Sequence, residues 1–165
     1  MFLRVKNCNN INDFRKLAKQ RIPSPLFHYI DGGSDDEVTL RQNTNSFEKC
    51  VLIPNVLTGN KNIDLSTTVL GHKMNLPFFF SPTAMQRLFH HEGEIAIAKV
   101  AEREGIMFGL STIGTVSIEE LSKITQGPKV FQLYIHKDKG LTYDLIERAK
   151  NANFSAIALT VDTIV

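Results

Sequence analysis

Hydrophobic and polar positions follow two regimes along this chain, changing near residue 76. Upstream, apolar positions recur without a common rhythm. Asn10-Ile11-Asn12-Asp13 supplies N-cap residues, and Phe14, Leu17 and Ala18 come next at helical spacing. A helix is therefore expected over 13–21, with those three on its apolar side. Pro23 and Pro25 break it, and a short helix over 26–30 ends at Gly32-Gly33, where positive φ is tolerated. Ser34-Asp35-Asp36-Glu37 reads as the cap and acidic first turn of a third helix running to about residue 47, its charges suiting the positive end of the dipole. Residues 51–53 read as a strand, and 65–70 and 72–75, divided by Gly71, as a hairpin. With no repeat in it, the stretch 1–75 is expected to form an N-terminal helical cap and β-hairpin on the remainder of the chain.

Downstream the pattern is regular. Leu76-Pro77-Phe78-Phe79-Phe80 is too apolar for a half-exposed strand and predicts a strand over 78–81 buried on both faces, with Phe78, Phe79 and Phe80 in the core. A helix is expected over 93–104, where Ile97, Val100 and Ala101 recur and Ile95, Ala96 and Ala98 widen the apolar face. Further strands are expected over 106–110, 129–134 and 156–161. Between them lie a short helix opened by the capping pattern Ser117-Ile118-Glu119-Glu120 and a longer one over 141–151. The strands begin roughly 23 to 28 residues apart with a helix in each gap, the rhythm of a parallel sheet with helical crossovers. Residues 76–165 thus form a βα unit series. Each strand ends in hydrogen-bonding side chains: Ser81 and Thr83, Ser111 and Thr112, Gln132 and Tyr134, Thr160 and Asp162. In α/β folds the carboxyl ends of parallel strands open onto the ligand crevice.

Composition narrows the function classes. The 165 residues are 42% hydrophobic and 22% charged, with a formal net charge of +2. That is globular, with no basic block to support nucleic-acid binding. Cys8 and Cys50 show neither metal-ligand spacing nor a disulfide framework, which suits a reducing compartment. The first residues carry no long apolar region, so no signal peptide is expected, and cytoplasmic is the default location. No Gly-x-Gly-x-x-Gly or phosphate-loop signature comes after the first strand, so a Rossmann reading gains little. His90-His91-Glu92 lacks the H-E-x-x-H spacing, so no metal site is expected. His28 and His136 are expected at the surface.

The strand-end set is mostly neutral hydroxyls and amides. Such groups suit a flat heterocycle with alternating donors and acceptors, a flavin among other ligands. Asp162 is the exception: a carboxylate that orients a histidine, or else an ordinary loop cap.

Seven blocks then occur in one order over essentially the whole chain: Tyr29 with Asp31-Gly32-Gly33-Ser34-Asp35-Asp36-Glu37, Pro82-Thr83-Ala84-Met85, His91-Glu92-Gly93-Glu94, Leu110-Ser111-Thr112, Phe131-Gln132-Leu133-Tyr134, Lys137-Asp138, and Ala158-Leu159-Thr160-Val161-Asp162-Thr163. In order and spacing they resemble the FMN-dependent α-hydroxy acid dehydrogenases and oxidases, the family of glycolate oxidase and the L-lactate and mandelate dehydrogenases. Thr112-Ile113-Gly114 and Ile164 resemble the bacterial L-lactate dehydrogenases more than the plant-type glycolate oxidases. The resemblance implies an α/β fold, the (β/α)8 TIM barrel, here about half a barrel of four βα strands after the cap and hairpin. It implies FMN as cofactor, with Pro82, Thr83 and Ala84 at the flavin N5 side and ribityl, and Ser111, Gln132 and Thr160 at the pyrimidine ring. Tyr29 and Tyr134 would meet the substrate, and Asp162 would pair with the catalytic histidine.

The implied reaction is oxidation of an L-2-hydroxy acid, L-lactate first among them, to the 2-keto acid. The family's histidine base, its substrate-binding arginines, its flavin lysine and its phosphate site come after the segment matching Thr163. None has a position in these 165 residues. The resemblance therefore makes this chain the N-terminal half, expected to be inactive alone and to bind FMN weakly. The alternatives are an inactive remnant, or a half-barrel module needing a second chain. Family members are homo-oligomers, and some full-length relatives associate peripherally with the inner membrane.

Overall fold

The structure, a computed structural model, describes residues 4–59 and 61–162. Thr163 and Ile164, which carried part of the resemblance, lie outside the described residues. The chain divides into two compact units, Met1–Lys61 and Asn62–Val165.

In the first unit a 3-10 turn, Val5–Asn7, precedes α1 (Ile11–Arg21), α2 (Ser24–Asp31) and α3 (Val38–Glu48). The Asn10 side chain caps α1 by accepting from Asp13 N. Leu17 and Phe27 are the buried residues of α1 and α2. Arg15 makes a forked ion pair with Asp31, which raises the guanidinium's pKa and lowers the carboxylate's. Two expectations fail here. Ser34-Asp35-Asp36-Glu37 is a turn ahead of α3 rather than its first turn, with Asp35 and Glu37 at positive φ. Aspartate tolerates that region, and Glu37 uses its carboxylate to accept from Gly33 N at 3.1 Å. Residues 51–53 are not a strand. Val51, Leu52 and Ile53 are almost wholly exposed, and an apolar run with no neighbouring edge to bond has no ladder to join.

The second unit begins with the expected hairpin, β1 (Thr67–Val69) and β2 (His72–Met74), antiparallel with Val69 opposite His72. The two-residue loop, Leu70-Gly71, holds both residues at positive φ, as the twist of a tight hairpin demands. Then come α4 (Glu94–Glu104), β3 (Phe108–Ser111), α5 (Ile118–Ile124), β4 (Lys129–Leu133), α6 (Lys139–Asn151) and β5 (Ala156–Leu159). β3, β4 and β5 form a parallel sheet in chain order, with Ser111 opposite Gln132 and Gln132 opposite Ala158. Neighbours in sequence are neighbours in space, the arrangement of a singly wound sheet.

The pleat sorts the side chains. Phe108, Leu110, Phe131 and Leu133 are buried against Ala98 and Ala101 of α4, Leu121 of α5 and Ala149 of α6. Each such large side chain contributes about 1.5–3 kcal/mol by leaving water. A second buried cluster joins Met74 of the hairpin to Met107 and Val130. Ser117 caps α5 and Asp138 caps α6 through their side-chain oxygens. Lys129 is buried at the start of β4, its ammonium donating to the Thr125 and Gly127 carbonyls and standing over the Phe154 ring; burial lowers its pKa.

The expected first strand of this series contracts to one parallel bridge, Phe80 to Phe108. Phe80 N donates to Met107 O and Gly109 N to Phe80 O, but Pro82 has no N–H to carry the ladder on. Phe78 and Phe79, expected in the core, are 53% and 46% exposed. At the other edge β5 ends at Leu159, two residues short of the expected strand over 156–161, and its Ile157 and Leu159 are also exposed. Each of these edges has a strand neighbour on one side only among the described residues. His136, expected at the surface, is half-buried, and its Nε2 is enclosed without a partner among the described residues.

Candidate functional site

At the carboxyl ends of β3, β4 and β5 the side chains form one continuous row. Gln132 is 6% exposed, and its Oε1 accepts from Ser111 Oγ at 3.1 Å and from Thr112 N at 3.1 Å. Its Nε2 donates to Thr160 Oγ1 at 2.7 Å. A backbone N–H can only donate, so Thr112 N settles which end of the amide is oxygen. Ser111 Oγ also accepts from Ile113 N at 3.2 Å. Thr112 Oγ1 donates to Gln132 O and accepts from Tyr134 N, so the loops after β3 and β4 are tied below the row. Parallel pairing creates this: Ser111 and Gln132 share a register position, and the pleat puts both on the face opposite Leu110 and Phe131.

The row keeps hydrogens for a ligand. One Nε2 hydrogen of Gln132 goes to Thr160, leaving the other; the Thr160 hydroxyl, accepting there, keeps its own hydrogen to give. The row can meet a planar ligand edge that carries acceptors. A cavity of about 300 Å³ lies toward the other face of the sheet, where Leu110 and Phe131 meet Ile118 of α5 and Leu145 and Arg148 of α6. Arg148 there is held by a forked pair with Glu119, which lowers the Glu119 pKa to about 2 and raises that of Arg148. A larger cleft of about 400 Å³ in the first unit surrounds Phe27, but its Arg15 and Asp31 are spent on one another.

Pro82, Thr83 and Ala84 run alongside β3. Gly109 makes room for them: a Cβ there would stand 2.8 Å from Pro82 Cδ. Met85, at positive φ, donates its N–H to Ile113 O at 2.9 Å, joining this segment to the loop after β3. Pro82 and Ala84 are half-buried and Thr83 is exposed. Tyr134 is half-buried just past β4, and Asp162 is exposed just past Thr160. Tyr29 sits on α2 in the first unit, largely exposed. The structure thus joins Ser111, Gln132 and Thr160 directly and lays the Pro82 segment against their edge of the sheet.

A group that pattern reading missed stands behind this edge. Glu94, 0% exposed at the start of α4, accepts from Thr115 N at 2.8 Å, from Thr115 Oγ1, and from Gln86 N at 3.4 Å. Arg87 reaches the same threonine, donating N to Thr115 Oγ1 and Nη1 to Thr115 O, each at 3.2 Å. Gln86 Nε2 donates to Thr83 O at 3.3 Å. The available signal was an acid directly after a glycine at a helix start, which in sequence looks like ordinary dipole compensation.

Comparison with known proteins bears on this geometry. A family model described as FMN-dependent dehydrogenase matches residues 18–165. Glycolate oxidase of Spinacia oleracea is 42% identical over 154 residues, covering 93% of this chain and 42% of that protein; glycolate oxidase 3 of Arabidopsis thaliana is 40% identical over the same length. A Pediococcus acidilactici lactate oxidase structure superposes with a TM-score of 0.90 at 38% identity, covering 96% of this chain and 44% of that one. An active chimera of (S)-mandelate dehydrogenase gives 0.89 at 32% identity, covering 94% and 44%. The chain spans about 42% of the length of the curated relatives it matches. Its second unit has the architecture of about half a (β/α)8 barrel.

Proposed function

The chain belongs to the FMN-dependent dehydrogenase family, and on that premise we propose that it supplies the N-terminal part of an enzyme oxidising an L-2-hydroxy acid, L-lactate in the first instance, to the 2-keto acid. The observation that carries this is the row Ser111–Gln132–Thr160, three neutral side chains on three adjacent parallel strands, linked without a break. Their donor set fits a flavin. The spare Gln132 N–H and the Thr160 hydroxyl suit ring carbonyl oxygens, and the row has no charge to oppose an uncharged heterocycle. FMN, when bound, supplies the acceptor for the hydride equivalent that leaves the substrate α-carbon.

The chain's own residues orient and bind. Ser111, Gln132 and Thr160 would hold the pyrimidine edge, and Pro82, Thr83 and Ala84 the N5 side and ribityl. Tyr134 would present a hydroxyl to the substrate. Asp162 would fix the tautomer of a histidine base and stabilise it once protonated. Neither that histidine nor a cation for the substrate carboxylate is among the groups gathered at the row. Turnover therefore calls for further barrel strands. The exposed Ile157 and Leu159 of β5, with Val161 just past its end, favour the reading that another segment or a second chain covers this edge.

The test is FMN titration followed by amide NMR. Shifts centred on Thr83, Ser111, Thr112, Gln132 and Thr160 are expected, with weak affinity and no lactate-dependent dye reduction by the chain alone. Adding a chain that carries the remaining strands is expected to bring turnover. Shifts centred elsewhere, or none, would sink the proposal.

A further inference from the structure

The geometry points to Glu94 as a positioning residue that holds the Pro82-Thr83-Ala84 segment in place beside Ser111 and Thr112. The inference rests on the flavin reading above and adds to it a residue with no place in the row itself.

A fully buried carboxylate costs several kcal/mol unless donors surround it. Glu94 has three, and none comes from its own helix: Gln86 N belongs to the loop before α4, and Thr115 N and Oγ1 to the loop after β3. The carboxylate is therefore not spent on capping α4. It bridges two loops that lie beyond different strands. The path continues on both sides. Gln86, anchored through its backbone, passes its Nε2 to the Thr83 carbonyl. Thr115, anchored by Glu94, takes two bonds from Arg87. Met85 N to Ile113 O closes the circuit nearer the row.

Gly93 shows how tightly this is built. It has φ +52, and a Cβ there would lie 2.7 Å from Arg87 Cγ and 3.2 Å from Thr115 Oγ1, so the chain enters the clasp through the one residue that fits. Gln86 Oε1 is enclosed without a partner among the described residues, so the bond to Thr83 is what its amide gains in that orientation. A cofactor gripped between Thr83 and Ser111 needs those two segments set at one separation before it arrives, because ordering them on binding would weaken the affinity.

The test uses Glu94→Gln, in which one acceptor oxygen becomes a donor facing donors. Amide exchange of Gln86 and Thr115 is expected to accelerate about tenfold or more while Val130 and Phe131 keep their protection. FMN affinity, read from the NMR titration, is expected to fall about tenfold, a change of about 1.4 kcal/mol. Thr115→Val removes only the hydroxyl and is expected to shift both readouts the same way by a smaller factor. If Glu94→Gln loses the sheet's protection as well, Thr115→Val decides by the same criteria. Faster exchange with unchanged FMN affinity would overturn the positioning role and leave the flavin reading standing. Unchanged exchange in both variants would show the clasp is not closed. FMN that leaves Thr83, Ser111, Gln132 and Thr160 unmoved in the unaltered chain would overturn the flavin reading and this inference with it.

Discussion

Replacing Gln132 with leucine probes the row without opening a hole, since the two side chains are similar in size. The amide is buried and makes three bonds: from Ser111 Oγ, from Thr112 N, and to Thr160 Oγ1. They are not equal. The Ser111 hydroxyl can turn to another acceptor and the Thr160 oxygen can accept from water, so each loses about 0.5–1 kcal/mol. Thr112 N–H cannot rotate; stranding a partly buried donor costs about 1–3 kcal/mol. Leucine returns about 1–2 kcal/mol through apolar burial. The net expectation is a loss of about 1–3 kcal/mol, or a Tm lowered by about 4–12 °C for a unit of this size. Thermal unfolding by far-UV circular dichroism measures it, and amide exchange at Thr112 localises it. A Tm equal to or above that of the unaltered chain, with Thr112 exchange unchanged, would refute the reasoning. It would mean that water, not Gln132, satisfies the strand ends.

Two further perturbations test the scaffold. Arg148 holds the Glu119 carboxylate at a pKa of about 2, below its ordinary 4.5. A depressed carboxylate contributes stability that is full above about 4.5 and is lost as pH falls toward about 2. Both partners are more than a third exposed, so screening limits the effect to under about 1 kcal/mol; Glu119→Gln should flatten the Tm against pH between those values, and a profile unchanged by the substitution would contradict it. Gly105→Ala should cost about 2–3 kcal/mol in urea denaturation. Gly105 sits at φ +63, worth about 1–2 kcal/mol to an L side chain, and the new Cβ would land 2.3 Å from Asn75 Nδ2, displacing that side chain from Glu104 O; a neutral result would mean the loop yields freely.

Much of the second unit was legible because its elements answer to local rules. The Ser117 cap, the hairpin loop at Leu70-Gly71 and the βα rhythm arise from residues within a few positions of one another. The misplaced apolar segments share another cause. Phe78 and Phe79 have the composition of buried strand residues, yet burial needs a neighbour on the far side, and only β3 flanks this segment among the described residues. Val51, Leu52 and Ile53 fail in the same way. Apolarity states what a segment would gain from a partner; it does not say that a partner is within reach.

The site divides along the same line. Ser111, Gln132 and Thr160 were legible because a parallel sheet turns a sequence period into a spatial one. Once three strands run in register, equivalent carboxyl ends must lie side by side, and their hydroxyls and amide must meet. A slip of one residue in β4 would have put Phe131 in the row and Gln132 among the helices, so the large apolar side chains that dictate the register also place the polar ones. The Glu94 clasp has no such period. Its partners, Gln86 and Thr115, are 8 and 21 residues away and come from two loops. An acid at a helix start is too common to single out one that is buried. What distinguishes it is the complete burial of the carboxylate, a property of the packed molecule and of no window of its sequence. Rows built on strands can therefore be read ahead of the fold, while the ties that hold loops against those rows become visible only after burial is known.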